Sequence, residues 1–204
     1  MDDLYASVVL HDVKNQLAEL ALRLGERGDA QTEMKIVMNA AYRLSRMLLV
    51  HRQASGLLEV NVDSVNPSDF LRILAAEYRE LFPGLSIEVG ADRAPSFAFF
   101  DDALVRLALG NATHNACRFA RSKVELAAYE KDGMLVFRIS DDGPGFPENV
   151  LVEGGKSPSP VSGESTGLGL YLAGKIAGLH HMEGRRGHIE LNNAGGAMFC
   201  MMLP

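Results

Sequence analysis

Cysteine, basic charge and long apolar runs are all scarce in this chain, and each shortage removes a class of function. Its 204 residues hold two cysteines, Cys117 and Cys200. Both lie in apolar surroundings without CxxC or CxxH spacing, which argues against a disulfide or a zinc site and predicts reduced, buried thiols. Lys and Arg number 20 against 26 Asp and Glu, for a net charge of −6. No broad positive field is present to hold a nucleic-acid backbone, so nucleic acid is not an expected partner. No stretch approaches the ~20 apolar residues that cross a bilayer, so no membrane contact is expected within the chain. Met1-Asp2-Asp3 carries the wrong charge for a signal peptide, and the expected location is cytoplasmic. Neither a sensory module nor an internal repeat is recognisable.

What is present is enough for a core: 47% of residues are hydrophobic, and the length suits one ordinary domain plus a small one. Residues 3–24 lack Gly and Pro, and Val9, Val13, Leu17, Leu20 and Leu24 recur at helical spacing. His11 lies about 200° round the helix from Val13 and points away from this stripe, with Asn15 on the same outward face. After a break at 25–29, Met34, Val37, Ala41, Leu44 and Leu48 repeat as a second, heptad-like seam. Residues 1–55 therefore predict a helical hairpin. A pair of such helices leaves one side of its seam bare, so a second copy completing a four-helix bundle is expected, and with it a homodimer.

Gly56 marks the hinge to a second domain, 56–204. Alternation and turn residues predict strands over 58–62, 85–89, 96–100, 122–129, 134–140, 186–192 and 197–203, and helices over 66–82, 101–119 and 167–178. The expected fold is an α+β sandwich with its helices on one face. Residues 147–164 are polar and irregular.

Three segments of this domain carry chemistry. Asp141-Asp142-Gly143-Pro144-Gly145-Phe146 follows directly on a strand, so a carboxylate ends a rigid element. Gly143 and Gly145 let the backbone turn and come close to a flat ligand. Upstream, Asn111, Asn115 and Arg118 share one helix face at spacings of four and three. Downstream, Gly167-Leu168-Gly169-Leu170 is a glycine-rich helix start, suited to phosphate.

In this order the three resemble the G1, N and G2 boxes of sensor histidine kinases. The resemblance covers roughly residues 57–204, and His11-Asp12-Val13-Lys14-Asn15 is similar to the phosphoacceptor box of the same family. It implies a Bergerat-type α/β sandwich, the fold shared with gyrase, heat-shock chaperone and mismatch-repair ATPases, which binds ATP and Mg²⁺. By that resemblance Asp141 accepts the exocyclic amine of adenine, Phe119 lies against the base and Arg118 reaches the phosphates. Asn115 supplies an oxygen to Mg²⁺ with Asn111 assisting, Thr166, Gly167, Leu168, Gly169 and Leu170 form the phosphate-binding helix start, and 147–164 is the ATP lid. His11 takes the phosphoryl group, Asp12 orients its ring, and Asn15 positions a water for dephosphorylating the partner, a response regulator receiver domain. Gln16 stands where the family usually has proline, Ser165 replaces the first glycine of the G2 pattern, and the lid holds no phenylalanine-containing box. An alternative is a phosphotransfer adaptor that keeps the bundle without productive ATP binding; intact Asp141, Asn115 and Gly167 argue against it. A further alternative is an ATPase or serine/threonine kinase on the same fold, which would not require His11-Asp12 on an exposed helix face.

Overall fold

The computed structural model describes residues 60–155 and 168–204, together with eight separate helical positions: Val13, Gln16, Leu17, Leu20, Glu33, Val37, Ala40 and Leu44. The rest of the hairpin expected over 1–55 lies outside the described residues. The chain divides into two compact units, Met1–Glu59 and Val60–Pro204.

The second unit opens with β1 (Asp63–Val65), antiparallel to β3 (Ala98–Phe100) with Asp63 opposite Phe100. Of the strand expected over 58–62, residues 58–59 lie outside the described residues and 60–62 are irregular; the described strand begins at Asp63, where the long-range register with β3, and not local alternation, sets the pairing. Helix α1 (Pro67–Leu81) starts where Asn66 accepts a hydrogen bond from the Asp69 amide at 3.0 Å, with proline in the first turn. It buries Phe70, Leu71, Leu74 and Tyr78. Strand β2 (Ser86–Arg93) runs further than the expected 85–89. Helix α2 (Asp102–Phe119) is capped by Asp101, whose carboxylate accepts from the Leu104 amide at 2.9 Å.

Strands β4 (Lys123–Lys131) and β5 (Met134–Asp141) form a hairpin. Asp132 and Gly133 turn it with φ of 53° and 70°, the left-handed pair that a tight hairpin demands. Next comes α3 (Glu148–Glu153), inside the segment expected to be irregular. Pro147 sits at its N-cap and Gly154 closes it in the left-handed conformation at φ 56°. The chain finishes with α4 (Leu168–Leu179), a small hairpin of β6 (His181–Met182) and β7 (Arg185–Arg186) that alternation did not reveal, β8 (His188–Asn193) and β9 (Ala197–Leu203).

The main sheet has the order β2-β4-β5-β9-β8, with β2 parallel to β4 and every other pair antiparallel. Helices α1, α2 and α4 pack against it, and the core lies between. Phe70, Phe100 and Phe137 meet there with ring centroids 5.5, 5.7 and 5.6 Å apart. Such aromatic pairs add about 0.5–1.5 kcal/mol each beyond their buried area. Alternation along β5 puts Val136 on the opposite face, where it joins Cys200 and Met202 in a smaller apolar cluster. The result is an α/β sandwich. Among the described residues, no helix is long and apolar enough to cross a membrane.

Candidate functional site

Helix α2 is the backbone of the site. Asn111 is 9% exposed, Asn115 one turn later is half-buried, and Arg118 is exposed. The Arg118 guanidinium lies 5.5 Å from the centroid of the Phe119 ring, a cation–π distance. Phe119 is 51% exposed and so is not a core residue.

The glycine-rich loop after β5 closes against the end of this helix. A Cβ on Gly143 would fall 2.3 Å from the Phe119 carbonyl oxygen, so only glycine allows the approach. Asp141 receives hydrogen bonds at Oδ1 from the Gly143 amide at 2.8 Å and the Ala197 amide at 3.3 Å, and a Cβ on Gly196 would fall 1.8 Å from the Asp141 carbonyl oxygen. The carboxylate is thus held by its own loop and by the β8–β9 turn. It also reaches α2 electrostatically: burial first, and the Asp141 charge second, push the Cys117 thiol up to about 12. This buried cysteine is a structural thiol.

Three residues that sequence reasoning did not single out fix the loop. Asp142 accepts from the Ser122 hydroxyl at 2.6 Å, from the Ser122 amide at 3.0 Å and from the Arg121 amide at 2.7 Å. These donors, the Ser122 hydroxyl foremost, hold its carboxyl well below the usual carboxylate range. Asn193 clamps Phe146 from both sides, accepting from its amide at 2.8 Å and donating to its carbonyl at 3.0 Å. The clamp lies against Gly145, whose φ of 86° leaves no room for a side chain. Gly196 is the third. Their partners are up to 55 residues away in sequence, so only the paired acids and the polar turn hinted at them.

The third segment meets α2 eight residues before Phe119, at Asn111. A Cβ on Gly169, in the first turn of α4, would fall 1.9 Å from the Asn111 amide nitrogen. Leu170 is half-buried and Leu168 begins the helix. His11, Asp12, Asn15, Thr166 and Gly167 lie outside the described residues. Among the described residues, no group of three or more His, Cys, Asp or Glu forms a metal cage. The side chains of Asn111 and Asn115 offer hard amide oxygens one turn apart, and these fit an ion that keeps most of its shell as water and phosphate oxygen, as Mg²⁺ does.

A two-layer sandwich whose helix-borne amides, strand-end carboxylate and glycine-rich helix start converge is the arrangement of an ATPase domain. The chain belongs to the histidine kinase-, DNA gyrase B- and HSP90-like ATPase family, whose model matches residues 100–204. The signal transduction histidine-protein kinase AfsQ2 of Streptomyces coelicolor is 32% identical over 126 residues, 58% of this chain and 22% of its own length. The sensor histidine kinase GtrS of Pseudomonas aeruginosa is 27% identical across 97% of this chain and 41% of its own length. The chain therefore spans less than half of these curated relatives. Among solved structures, the ATP binding domain of PrrB from Mycobacterium tuberculosis superposes with a TM-score of 0.56 at 28% identity, over 71% of this chain and 97% of that one.

Proposed function

We propose that this chain is the catalytic core of a sensor histidine kinase, which binds ATP with Mg²⁺, phosphorylates His11 and passes the phosphoryl group to an aspartate of a response regulator receiver domain. The observation that carries this reading is the meeting of three segments on one helix, with Gly169 against Asn111, Gly143 against the Phe119 carbonyl, and the Asp141 charge felt at Cys117.

Asp141 would accept the exocyclic amine of adenine, a contact that discriminates against guanine. Its Oδ1 is already fixed by the Gly143 and Ala197 amides, so little freedom is lost on binding. Gly143 and Gly145 bring the backbone close to the base, beside Phe119. Asn115, assisted by Asn111, would hold Mg²⁺, which when bound neutralises charge on the triphosphate. Arg118 would reach the phosphates, and the amides of 166–170 would receive their oxygens at the helix start.

The ring nitrogen of His11 attacks the γ-phosphorus, the bond to the β–γ bridging oxygen breaks, ADP departs and the imidazole gives up its proton. Asp12 accepts a hydrogen bond from the other ring nitrogen, fixing the tautomer and stabilising the charge that develops. Asn15 would position a water for the reverse duty, dephosphorylating the receiver. Residues 1–55 would form the hairpin of a dimeric four-helix bundle, with 56–204 as the ATP-binding domain, working in the cytoplasm. Exposure of Val13 and Leu20, 40% and 45%, supports the homodimer, since it leaves apolar helix surface for a second copy to cover.

Labelled ATP tests this. The expected product is an acid-labile, base-stable phosphate that is absent in His11→Ala. Asn115→Ala should lose Mg²⁺-dependent labelling while keeping native helicity. Labelling retained in His11→Ala removes His11 from the role, and failure of the wild type to bind a fluorescent ATP analogue leaves the adaptor reading in its place.

A further inference from the structure

At the end of the domain away from the glycine-rich loop lies a polar network that none of the proposed chemistry uses. Asp101 and His180 are 6% and 4% exposed. The His180 Nε2 accepts a hydrogen bond from the Asp101 amide at 3.0 Å, and its Nδ1 lies 2.9 Å from the Ile176 carbonyl, to which the tautomer protonated at Nδ1 donates. The carboxylate of Asp101 takes one amide at each oxygen. Leu104, in the first turn of α2, donates to Oδ1, and Asn61 donates to Oδ2 at 2.9 Å. Asn61 is the second residue of the Val60–Pro204 unit. One buried pair therefore joins the start of α2, the end of α4 and the chain where this unit begins.

The consequence follows from where the same two helices meet again. Gly169 contacts Asn111, ten residues along α2 from Asp101 and eleven back along α4 from His180, so the helices run antiparallel and are pinned at two points about 15 Å apart. With the His180 pin gone, the Gly169–Asn111 contact alone sets how the two helices sit, and the spacing there is free to move by about 1 Å. A shift of that size is enough to spoil a binding constellation. We infer that Asp101 and His180 form a latch that sets the spacing between the amides of α2 and the glycine-rich start of α4, with His180 as a positioning residue for the nucleotide and Asn61 linking the chain at the unit's start to the same setting. The inference rests on the nucleotide reading of the site.

The wild-type chain, His180→Leu and His180→Gln are titrated calorimetrically with Mg²⁺ and a non-hydrolysable ATP analogue. Gln can return an acceptor oxygen to the Nε2 position; Leu cannot. Loss of the bond leaves a buried amide unpaired, and the expected effect is a Kd raised about tenfold in His180→Leu and largely restored in His180→Gln. Val136→Ala, in the apolar cluster on the opposite sheet face, should lower Tm while leaving Kd unchanged. A residue with only a stabilising role would behave like Val136, with lower Tm and unaltered Kd, and that result overturns the latch. Hydrogen exchange on the wild type gives a second reading that survives misfolding of a variant. Coupling is reciprocal, so nucleotide should slow exchange at the Asp101 and Asn61 amides; unchanged rates there with nucleotide bound refute the inference. If the wild type binds no nucleotide, the functional reading itself fails, which is a different outcome from binding that His180 does not influence.

Discussion

In Gly169→Ala the added methyl would sit 1.9 Å from the Asn111 nitrogen, 2.7 Å from its Cγ and 2.9 Å from its oxygen. All three atoms belong to one side chain that is 9% exposed, so Asn111 must leave its position. Overpacking of this kind costs about 1–3 kcal/mol. Alanine in place of glycine returns up to about 1 kcal/mol of helix propensity, so the net loss of stability is about 0–3 kcal/mol. Nucleotide binding should suffer more. Displacing an amide that serves a charged group costs about 1.5–3 kcal/mol, or a Kd raised roughly 10- to 150-fold. The control lies in the same helix: a Cβ at Gly174 would meet Ile189 at an ordinary 3.7 Å, so Gly174→Ala should gain up to about 1 kcal/mol and bind as wild type. Calorimetry with Mg²⁺ and an ATP analogue, paired with urea unfolding, reads both quantities. Wild-type affinity in Gly169→Ala would refute the claim that this glycine exists to admit Asn111.

Two further predictions concern groups around the loop. The Asp142 carboxyl is depressed by the Ser122 hydroxyl and the neighbouring amides. Its stabilising effect is therefore present above the unfolded value of about 4 and fades as pH falls through the lower folded value. Asp142→Asn should be less stable at neutral pH and show a flatter acid limb below about pH 4; parallel pH–stability curves for the two proteins would contradict this. The thiol of Cys117, pushed up to about 12 chiefly by burial, and that of Cys200, raised by burial first, should resist alkylation in the native protein at pH 8 and react once urea unfolds it. For Cys117 the native thiolate fraction should be roughly 10³-fold below that of a free thiol, and a rapid native burst would count against it.

The sequence was most legible where a local rule and the tertiary contact agree. Asn66-Pro67 announces α1, the amide-bearing face of α2 shows in its spacing, and Asp132-Gly133 marks the β4–β5 turn. Residues 60–62, expected to be strand, are irregular and the described strand is Asp63–Val65, because β3 chooses its register, which no local alternation reports. Helix α3 was hidden in a polar stretch, although Pro147 before it and Gly154 after it are a helix start and stop that the six residues between were too few to make persuasive. At the site, the glycines could be read as permissive but not as obligatory. That Gly143 faces the Phe119 carbonyl and Gly169 faces Asn111 depends on contacts 24 and 58 residues apart. Asp142, Asn193 and His180 escaped notice for the same reason, since their partners are distant in sequence and their residue types are common in turns and on surfaces.

The central claim is that the amides of α2, the loop after β5 and the start of α4 serve one magnesium nucleotide. The most direct measurement is an NMR titration of ¹⁵N-labelled protein with an ATP analogue and Mg²⁺. The account predicts that the side-chain amides of Asn111 and Asn115 and the backbone amides of Gly143 and Gly169 shift together and saturate with a single Kd. Saturating nucleotide that leaves these four groups unmoved, or moves them with unrelated affinities, would contradict it.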